Sequence, residues 1–307
     1  MDIIILLFGF TIGLVLLVKG ADEMVRSAVQ IALKFKLPSS IVGATFIGFG
    51  TSAPELFAST SAALKGDLDL GIGNIVGSNI ANSLLVVAVL YISLPKDFSK
   101  NINLNQISPT WMAIFTTVFV STYVLTNKFP FLLGVALLVL VVYVIYKMIS
   151  AESVDEDELI EEGNSYVWLR GGISLVATLY GSQLVVNNAV EIASIFGVSS
   201  LVVGSTIIAI GTSLPEVAGT ISAAKMRKPD IVFGNIFGSN LFNIGLVGGT
   251  AIMISPGEIS SVIDYQLFIM YFVSFIVIFL SRNIIRRNAV LGYIFIAAYV
   301  LFLVSLF

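Results

Sequence analysis

Apolar blocks separated by short polar stretches run along the whole chain. Most of them approach the roughly 20 residues that an α-helix needs to cross a bilayer. The pattern therefore predicts an all-α membrane protein with ten transmembrane helices: Ile3–Leu33, Ser39–Leu64, Leu70–Leu94, Ser108–Thr126, Phe131–Ile149, Tyr166–Phe196, Ser199–Met226, Ile231–Ile254, Ile263–Leu280 and Ala289–Phe307.

An internal repeat relates the two halves of this pattern. Gly43–Val86 and Gly204–Val247 align without a gap and agree at 21 of 44 positions. The agreements concentrate in two strings, Gly-Thr-Ser-x-Pro-Glu at residues 50–55 and 211–216, and Gly-Asn-x-x-Gly-Ser-Asn at residues 73–79 and 234–240. A duplicated, proline-broken apolar hairpin that carries a charge is typical of a transporter core.

The domain organisation follows from the repeat and from the polar stretch between its copies. Residues 1–150 form the first five-helix repeat, residues 151–164 an acidic linker, and residues 165–307 the second repeat. Seven acids lie in the linker, which is typical of a solvated segment. A calcium-sensing loop is the alternative interpretation.

Loop charges predict that the second repeat is inverted. An odd number of helices per repeat reverses its orientation, and most Lys and Arg lie in the odd-numbered loops, which are therefore cytoplasmic. Lys65 and Lys225 end equivalent repeated helices but fall on opposite sides of the membrane. Both termini are expected outside the cell. Asp2 stands where a signal peptide would be basic, so the first block is expected to remain as a spanning helix.

Composition narrows the class of function. Hydrophobic residues make up 57% of the chain and charged residues only 11%, far from a soluble protein. The chain has no Cys and no His, which excludes thiol chemistry and histidine metal sites. We expect the lipid bilayer as surroundings, with no enzymatic activity, no cofactor, no nucleic acid and no obligate protein partner.

The string around Pro54 predicts a break inside the second helix. Pro54 lacks an amide hydrogen and its ring clashes with the carbonyl of Gly50. The helix should unwind near Thr51 and free backbone carbonyls, which is tolerated in a membrane only where protein, water or a ligand satisfies them. With the hydroxyls of Thr51 and Ser52 and the carboxylate of Glu55, these carbonyls form an all-oxygen set suited to Na⁺ or Ca²⁺.

The two repeated glutamates are the strongest functional candidates. An ionisable side chain at mid-bilayer costs roughly 2.5–3.5 kcal/mol even on a lenient scale. Glu55 and Glu216 occupy matched positions, and no Lys or Arg lies inside the repeated helices to pair with them. A mobile cation is therefore the expected counter-charge.

The second string adds neutral oxygens. Ser78 and Asn82 are four residues apart and share a helix face, as do Ser239 and Asn243. Helices 2, 3, 7 and 8, each expected to be broken, would bring both glutamates and both asparagines around one cavity. The remaining repeated asparagines are expected to join helices by hydrogen bonds: Asn74, Asn79, Asn235 and Asn240. The glycine pairs in this string indicate close helix packing.

These two duplicated strings resemble the paired alpha-repeats of the cation/calcium antiporter superfamily, most closely its prokaryotic sodium/calcium exchanger branch. The resemblance implies that Glu55 and Glu216 are the main Ca²⁺ ligands, joined by the carbonyls of Thr51 and Thr212. It also implies one flanking Na⁺ position at Ser52, Ser78 and the Gly48 carbonyl, and a second at Ser213, Ser239 and the Ala209 carbonyl. Asn82 and Asn243 would line a central position.

Asparagine at both central positions departs from some relatives. Potassium-dependent members of the superfamily carry an acid at one of these positions, so the resemblance implies no K⁺ requirement here. The string Gly-Thr-Ser-x-Pro-Glu favours Na⁺ over H⁺ as the coupling ion.

The expected mechanism is Na⁺/Ca²⁺ antiport by alternating access, in which Ile3–Leu33 and Tyr166–Phe196 slide past the core. Small residues would smooth their contact: Gly9, Gly13, Gly20, Gly171, Gly172 and Gly181. Three alternatives stay open. They are an antiporter of the same fold that uses H⁺ or carries another divalent cation, a cation channel, and an intramembrane hydrolase. Trans-stimulated exchange would separate the antiporter from the channel.

Overall fold

The computed structural model describes residues 3–101, 107–150, 166–197, 211–282 and 284–306. The helices are α1 (Ile3–Phe35), α2 (Ser39–Thr51), α3 (Ala53–Leu64), α4 (Leu68–Ser93), α5 (Ile107–Thr126), α6 (Phe131–Ile149), α7 (Val167–Ile195), α8 (Leu214–Lys225), α9 (Pro229–Ile254), α10 (Asp264–Ser281) and α11 (Ala289–Val304). The strands are β1 (Ser99–Asn101), β2 (Lys128–Phe129), β3 (Gly257–Glu258) and β4 (Ile284–Arg286).

Seven of the described helices are long and apolar enough to cross a membrane. The bent pair α2 and α3 would be an eighth span, and α11 is a shorter apolar helix of 16 residues. Of the predicted span Ser199–Met226, the described part contains α8, and residues 198–210 lie outside it. The chain is therefore a multi-pass membrane protein built from helices.

The predicted break in the second helix is confirmed. The axes of α2 and α3 differ by 46°, and the bend lies at Ser52, whose ψ of 0° leaves the helical region. Pro54 falls in the first turn of the new helix, where a missing amide hydrogen has no cost. Ser213 repeats this geometry before α8, with φ −92° and ψ 3°.

Helices 3 and 8 were expected to be broken, and this was wrong. Their counterparts α4 and α9 run through, each with a π-helical turn, at Asn82–Val86 and Asn243–Gly248. Proline is absent from α4, and Pro229 in α9 is the first helical residue, where it is tolerated. A π-helical turn widens the backbone without interrupting it, and in both helices it begins at an asparagine of the candidate site.

Burial separates a central layer from peripheral helices. The most apolar 18-residue stretch of each helix shows this difference. In α9 and α4, 94% and 78% of this stretch is buried, whereas in α1 and α7 only 22% and 28% is buried. Close contacts between α9 and α2 depend on glycine, because a Cβ on Gly234 or Gly238 would meet the backbone of Ser40 or Ala44. The packing role of glycine is thus confirmed in the second copy of the string.

The peripheral helices α1 and α7 pack antiparallel along their length. A Cβ on Gly181 would lie 2.5 Å from the backbone nitrogen of Leu17, and one on Gly13 would lie 2.9 Å from the carbonyl oxygen of Gly181. Of the six predicted glycines, Gly9, Gly13, Gly20, Gly171 and Gly181 lie in close contacts. A Cβ on Gly172 would have no described atom within 4 Å, so Gly172 takes no part in this contact.

Two short antiparallel ribbons add strand structure that the apolar pattern does not predict. β1 pairs with β4, with Ser99 opposite Arg286, and β2 pairs with β3, with Lys128 opposite Glu258. Each ribbon ties a loop of the first half to a loop of the second. The acidic linker lies outside the described residues.

Candidate ion-binding site

Glu55 and Glu216 occupy the first turns of α3 and α8, directly after Ser52 and Ser213, where the backbone leaves helical geometry. Both are buried, at 3% and 2% exposure. The positive end of each helix dipole faces its carboxylate and stabilises the negative charge. The two carboxylates lie close enough for their charges to interact.

The carboxylate of Glu55 is held by α4. Ser78 Oγ donates to Glu55 Oε1 over 3.4 Å, and Asn74 Nδ2 lies 3.4 Å from the Glu55 backbone oxygen. Asn74 also donates to Ser59 Oγ over 2.9 Å, and Ser59 in turn donates to the Gly71 carbonyl. These bonds fix the hairpin of α3 and α4 around the glutamate.

The carboxylate of Glu216 is reached from the other half of the chain. The Thr51 side chain lies close to it. Thr51 Oγ1 also lies 3.4 Å from Ser239 Oγ, and Ser239 Oγ donates to the Gly48 carbonyl over 3.2 Å. The two predicted flanking oxygen sets are therefore interleaved, because Ser239 of the second set contacts Gly48 of the first.

The central asparagines cross between the halves in the same way. Asn82 Nδ2 donates to Asn240 Oδ1 over 3.1 Å, and Asn243 Nδ2 donates to Asn79 Oδ1 over 3.0 Å. Asn243 Nδ2 also donates to Ser78 Oγ over 3.1 Å, which links it to Glu55. The predicted interhelical role of Asn79 and Asn240 is confirmed.

Several oxygens of the site are buried without a hydrogen-bond partner in the described part of the chain. They come from both halves and include one carboxylate oxygen from each glutamate: Ser52 Oγ, Glu55 Oε2, Asn82 Oδ1, Glu216 Oε2 and Asn243 Oδ1. Buried polar atoms are normally paired, so a concentration of unpaired acceptors requires an explanation. All five oxygens can accept a hydrogen bond or coordinate a cation. The serine hydroxyl can also donate, and a carboxyl oxygen can donate only when it is protonated.

The rest of the second predicted set is only partly described. Ser213 is buried at 2% exposure, next to Glu216, whereas Thr212 is exposed. Ala209 lies outside the described residues. Ser182 Oγ of α7 donates to the Gly211 carbonyl over 3.0 Å, which ties α7 to the chain just before Ser213.

A partly open cavity of about 530 Å³ lies beside the starts of α3 and α8. Its lining includes Ala53, Pro54, Thr212 and Pro215, and α7 contributes polar side chains at Gln183 and Asn187. The lining is mainly apolar. The cavity therefore borders the two segments that precede Glu55 and Glu216.

Ion pairs in the described residues lie away from this site. Arg170 pairs with Glu23 over 2.5 Å, between α7 and α1. Arg227 hydrogen-bonds to Asp97 over 2.7 Å at the exposed end of α8, and this bond holds the pKa of the Asp97 carboxyl below its usual range. Neither arginine compensates the buried glutamates.

Sequence reasoning missed four side chains that support the site. Ser59 contacts Asn74, Ser83 contacts Asn240, and the thioethers of Met112 and Met270 contact Asn240 and Asn79. Ser59 had a signal, because it lies four residues after Glu55 and matches Thr220 in the repeat. Nothing in the repeated strings indicates the methionines, which lie on α5 and α10.

Comparisons with known proteins agree with this architecture. The model of the family described as sodium/calcium exchanger protein matches residues 5–151 and 166–307. The inner membrane protein YrbG of Escherichia coli is 31% identical over 290 residues, which cover 89% of this chain and 88% of that protein. The sodium/calcium exchanger MaX1 of Methanosarcina acetivorans is 29% identical over 96% of this chain and 97% of that protein.

Solved structures match the fold along nearly its whole length. A structure of the sodium-calcium exchanger NCX_Mj, soaked with Na⁺ and Ca²⁺, superimposes with a TM-score of 0.85 at 26% identity and covers 99% of both chains. MaX1 and NCX_Mj are named as sodium/calcium exchangers. The match of the family model over most of the chain shows that it belongs to the sodium/calcium exchanger protein family.

Proposed function

We propose that this protein is a secondary antiporter that exchanges Na⁺ for Ca²⁺ through a central site formed by Glu55 and Glu216. The observation that carries the proposal is a group of five buried oxygens, contributed by both halves of the chain, that have no hydrogen-bond partner among the described residues. Hard cations such as Ca²⁺ and Na⁺ bind oxygen ligands of this kind.

Charge balance supports a divalent cargo. Two buried carboxylates at Glu55 and Glu216 carry two formal negative charges, and no Lys or Arg of the described residues is paired with either. One Ca²⁺ neutralises both, and so do Na⁺ ions distributed over the same oxygens. Uncompensated charges of this kind are costly in a membrane, so the cargo provides the counter-charge.

The proposed ligand set follows the predicted residues. Ca²⁺ is bound by Glu55 and Glu216 together with the carbonyls of Thr51 and Thr212. Na⁺ positions use the hydroxyls and carbonyls on either side, namely Ser52, Ser78, Gly48, Ser213, Ser239 and Ala209. The amide oxygens of Asn82 and Asn243 line the centre. The contact of Thr51 with Glu216 supports one shared site rather than two separate ones.

Alternating access is the proposed transport mechanism. The cavity beside Pro54 and Pro215 offers a path to the site from one side. The helices α1 and α7 lie at the periphery, contact each other through glycines and touch the core along α8. These features suit a pair that slides as a unit when the charges of the site are neutralised.

The proposed architecture is ten membrane-spanning helices in two inverted five-helix repeats, residues 1–150 and 165–307, joined by a cytoplasmic linker at residues 151–164. Matched bounds of α3 with α8 and of α4 with α9 support the repeat. With the basic loops cytoplasmic, both termini lie outside the cell membrane.

The test is ⁴⁵Ca²⁺ uptake into proteoliposomes. Uptake should follow an imposed outward Na⁺ gradient and should be abolished in both Glu55→Gln and Glu216→Gln. Glu258→Gln, the same substitution at an exposed position in β3, is the matched control and should transport normally. Retained Na⁺-driven uptake in both site variants would refute the proposal, and uptake driven only by a pH gradient would assign H⁺ as the coupling ion.

A further inference from the structure

Four buried asparagines form two equivalent cross-links between the halves of the chain. Asn82 of α4 donates to Asn240 Oδ1 of α9, and Asn243 of α9 donates to Asn79 Oδ1 of α4. All four are at most 1% exposed. In each link the donor is a central asparagine, and the acceptor lies three residues before the other central asparagine.

The acceptor asparagines are themselves oriented by groups on their far side. Asn240 Nδ2 donates to Ser83 Oγ over 3.2 Å and to Met112 Sδ over 3.7 Å. Asn79 Nδ2 donates to the Asn240 carbonyl over 3.3 Å and to Met270 Sδ over 3.7 Å. A thioether and a carbonyl can only accept, so each amide nitrogen must face them.

This orientation propagates to the central asparagines. Because Asn240 and Asn79 present oxygen, Asn82 and Asn243 must present nitrogen to them. Their own oxygens are then left buried without a described partner. Asn243 is adjacent to Glu55 through Ser78, and the π-helical turn that begins at Asn82 packs against α8, which carries Glu216.

We infer that Asn79 and Asn240 are positioning residues that hold Asn243 and Asn82 with the amide oxygen, rather than the NH₂ group, toward the transported cation. An amide that turned over would direct donor hydrogens at the cation and repel it. The inference rests on the proposed function, since it presumes a cation beside Glu55 and Glu216. It goes beyond helix association, because it assigns these residues an effect on cation affinity.

Asn240→Leu tests the inference, because leucine has the same number and branching of side-chain heavy atoms as asparagine but cannot accept a hydrogen bond. Asn82 is then free to turn, and equilibrium ⁴⁵Ca²⁺ binding to the purified full chain should weaken about tenfold, a size typical of coupling within a hydrogen-bond network. Asn82→Asp should rescue this loss, since both terminal atoms of a carboxylate are oxygens. Asn82→Asp alone is the reference for the added charge.

The effects of the Asn240 and Asn82 substitutions on Ca²⁺ affinity are therefore expected to be non-additive. Asn240→Leu should change Ca²⁺ affinity less than about twofold when Asn82 is aspartate. If Asn240→Leu costs the same affinity in both backgrounds, or none in either, the inference is overturned and Asn240 serves only to join helices.

If Asn240→Leu does not fold, the equivalent double-mutant cycle in the other cross-link provides the test. Asn79→Leu is combined with Asn243→Asp and judged by the same criterion, with folding checked by size-exclusion chromatography. Measurements on the wild-type chain distinguish a failure of the proposed function from a failure of the positioning role. Absence of Ca²⁺ binding and exchange in the wild type refutes the proposed function, whereas wild-type binding with additive cycles refutes only the positioning role.

Discussion

Ser78 Oγ lies 3.4 Å from Glu55 Oε1 and accepts a hydrogen bond from Asn243 Nδ2 over 3.1 Å. One hydroxyl therefore joins a carboxylate of the first half to an amide of the second. A cation that binds Glu55 through Oε1 must share this hydroxyl or displace its hydrogen bond.

Ser78→Ala should weaken Na⁺ binding more than Ca²⁺ binding, because Na⁺ depends more on neutral oxygens than on the carboxylates. Loss of one hydrogen-bonding group costs about 0.5–1.5 kcal/mol, which corresponds to a shift of about 2–13-fold in the Na⁺ concentration for half-maximal exchange. The measurement is Na⁺-dependent ⁴⁵Ca²⁺ efflux from proteoliposomes. Ser61→Ala, an exposed position on α3, is the control, and an unchanged Na⁺ curve in Ser78→Ala would contradict the assignment.

Gly181→Ala should destabilise the protein, because its Cβ would lie 2.5 Å from the Leu17 backbone, which cannot move aside without shifting α1. Overpacking of this kind costs about 1–3 kcal/mol. Thermal unfolding in detergent should show a lower midpoint for Gly181→Ala and little change for Gly172→Ala. Equal midpoints for the two variants would show that the α1–α7 contact tolerates a wider spacing.

Single cysteines test the inverted repeat, since the chain has no Cys of its own. Lys65→Cys and Lys225→Cys replace exposed residues at the ends of α3 and α8. An impermeant maleimide added to intact cells should label Lys65→Cys, and Lys225→Cys only after the membrane is opened. Labelling of both from the same side would refute the inverted arrangement.

Exchange should not require K⁺. With Asn82 and Asn243 at the central positions, the site has two carboxylates, and one Ca²⁺ balances both charges without a further monovalent cation. Na⁺-driven ⁴⁵Ca²⁺ uptake should therefore be the same when K⁺ is replaced by choline on both sides of the membrane. Uptake that stops in choline would indicate a K⁺ ligand outside the proposed set.

Several features were predictable because they depend on local chemistry. Proline at position 54 breaks its helix wherever the helix packs, so the bend at Ser52 followed from the sequence. Membrane-length apolar blocks likewise predicted helix bounds close to those of α1, α4, α6 and α9. The expectation of breaks in helices 3 and 8 was wrong, since no proline lies inside α4 or beyond the first residue of α9.

The supporting contacts of the site were not predictable. Ser239 reaches Gly48, and Met112 orients Asn240, across more than a hundred residues of chain. Such contacts depend on how the two hairpins interleave and on which helices cover them. No periodicity within one segment carries that information.

The sequence by itself determined the composition of the candidate site, namely two glutamates, nearby hydroxyls and two asparagines at repeated positions. The reason is that a carboxylate buried in an apolar helix requires a counter-charge wherever it lies. Only the tertiary structure decided which oxygens remain without partners and which are taken up in cross-links between the halves. The physical reason is that hydrogen bonding is a competition among neighbours, and those neighbours come from α4, α5, α9 and α10 only once the chain is folded.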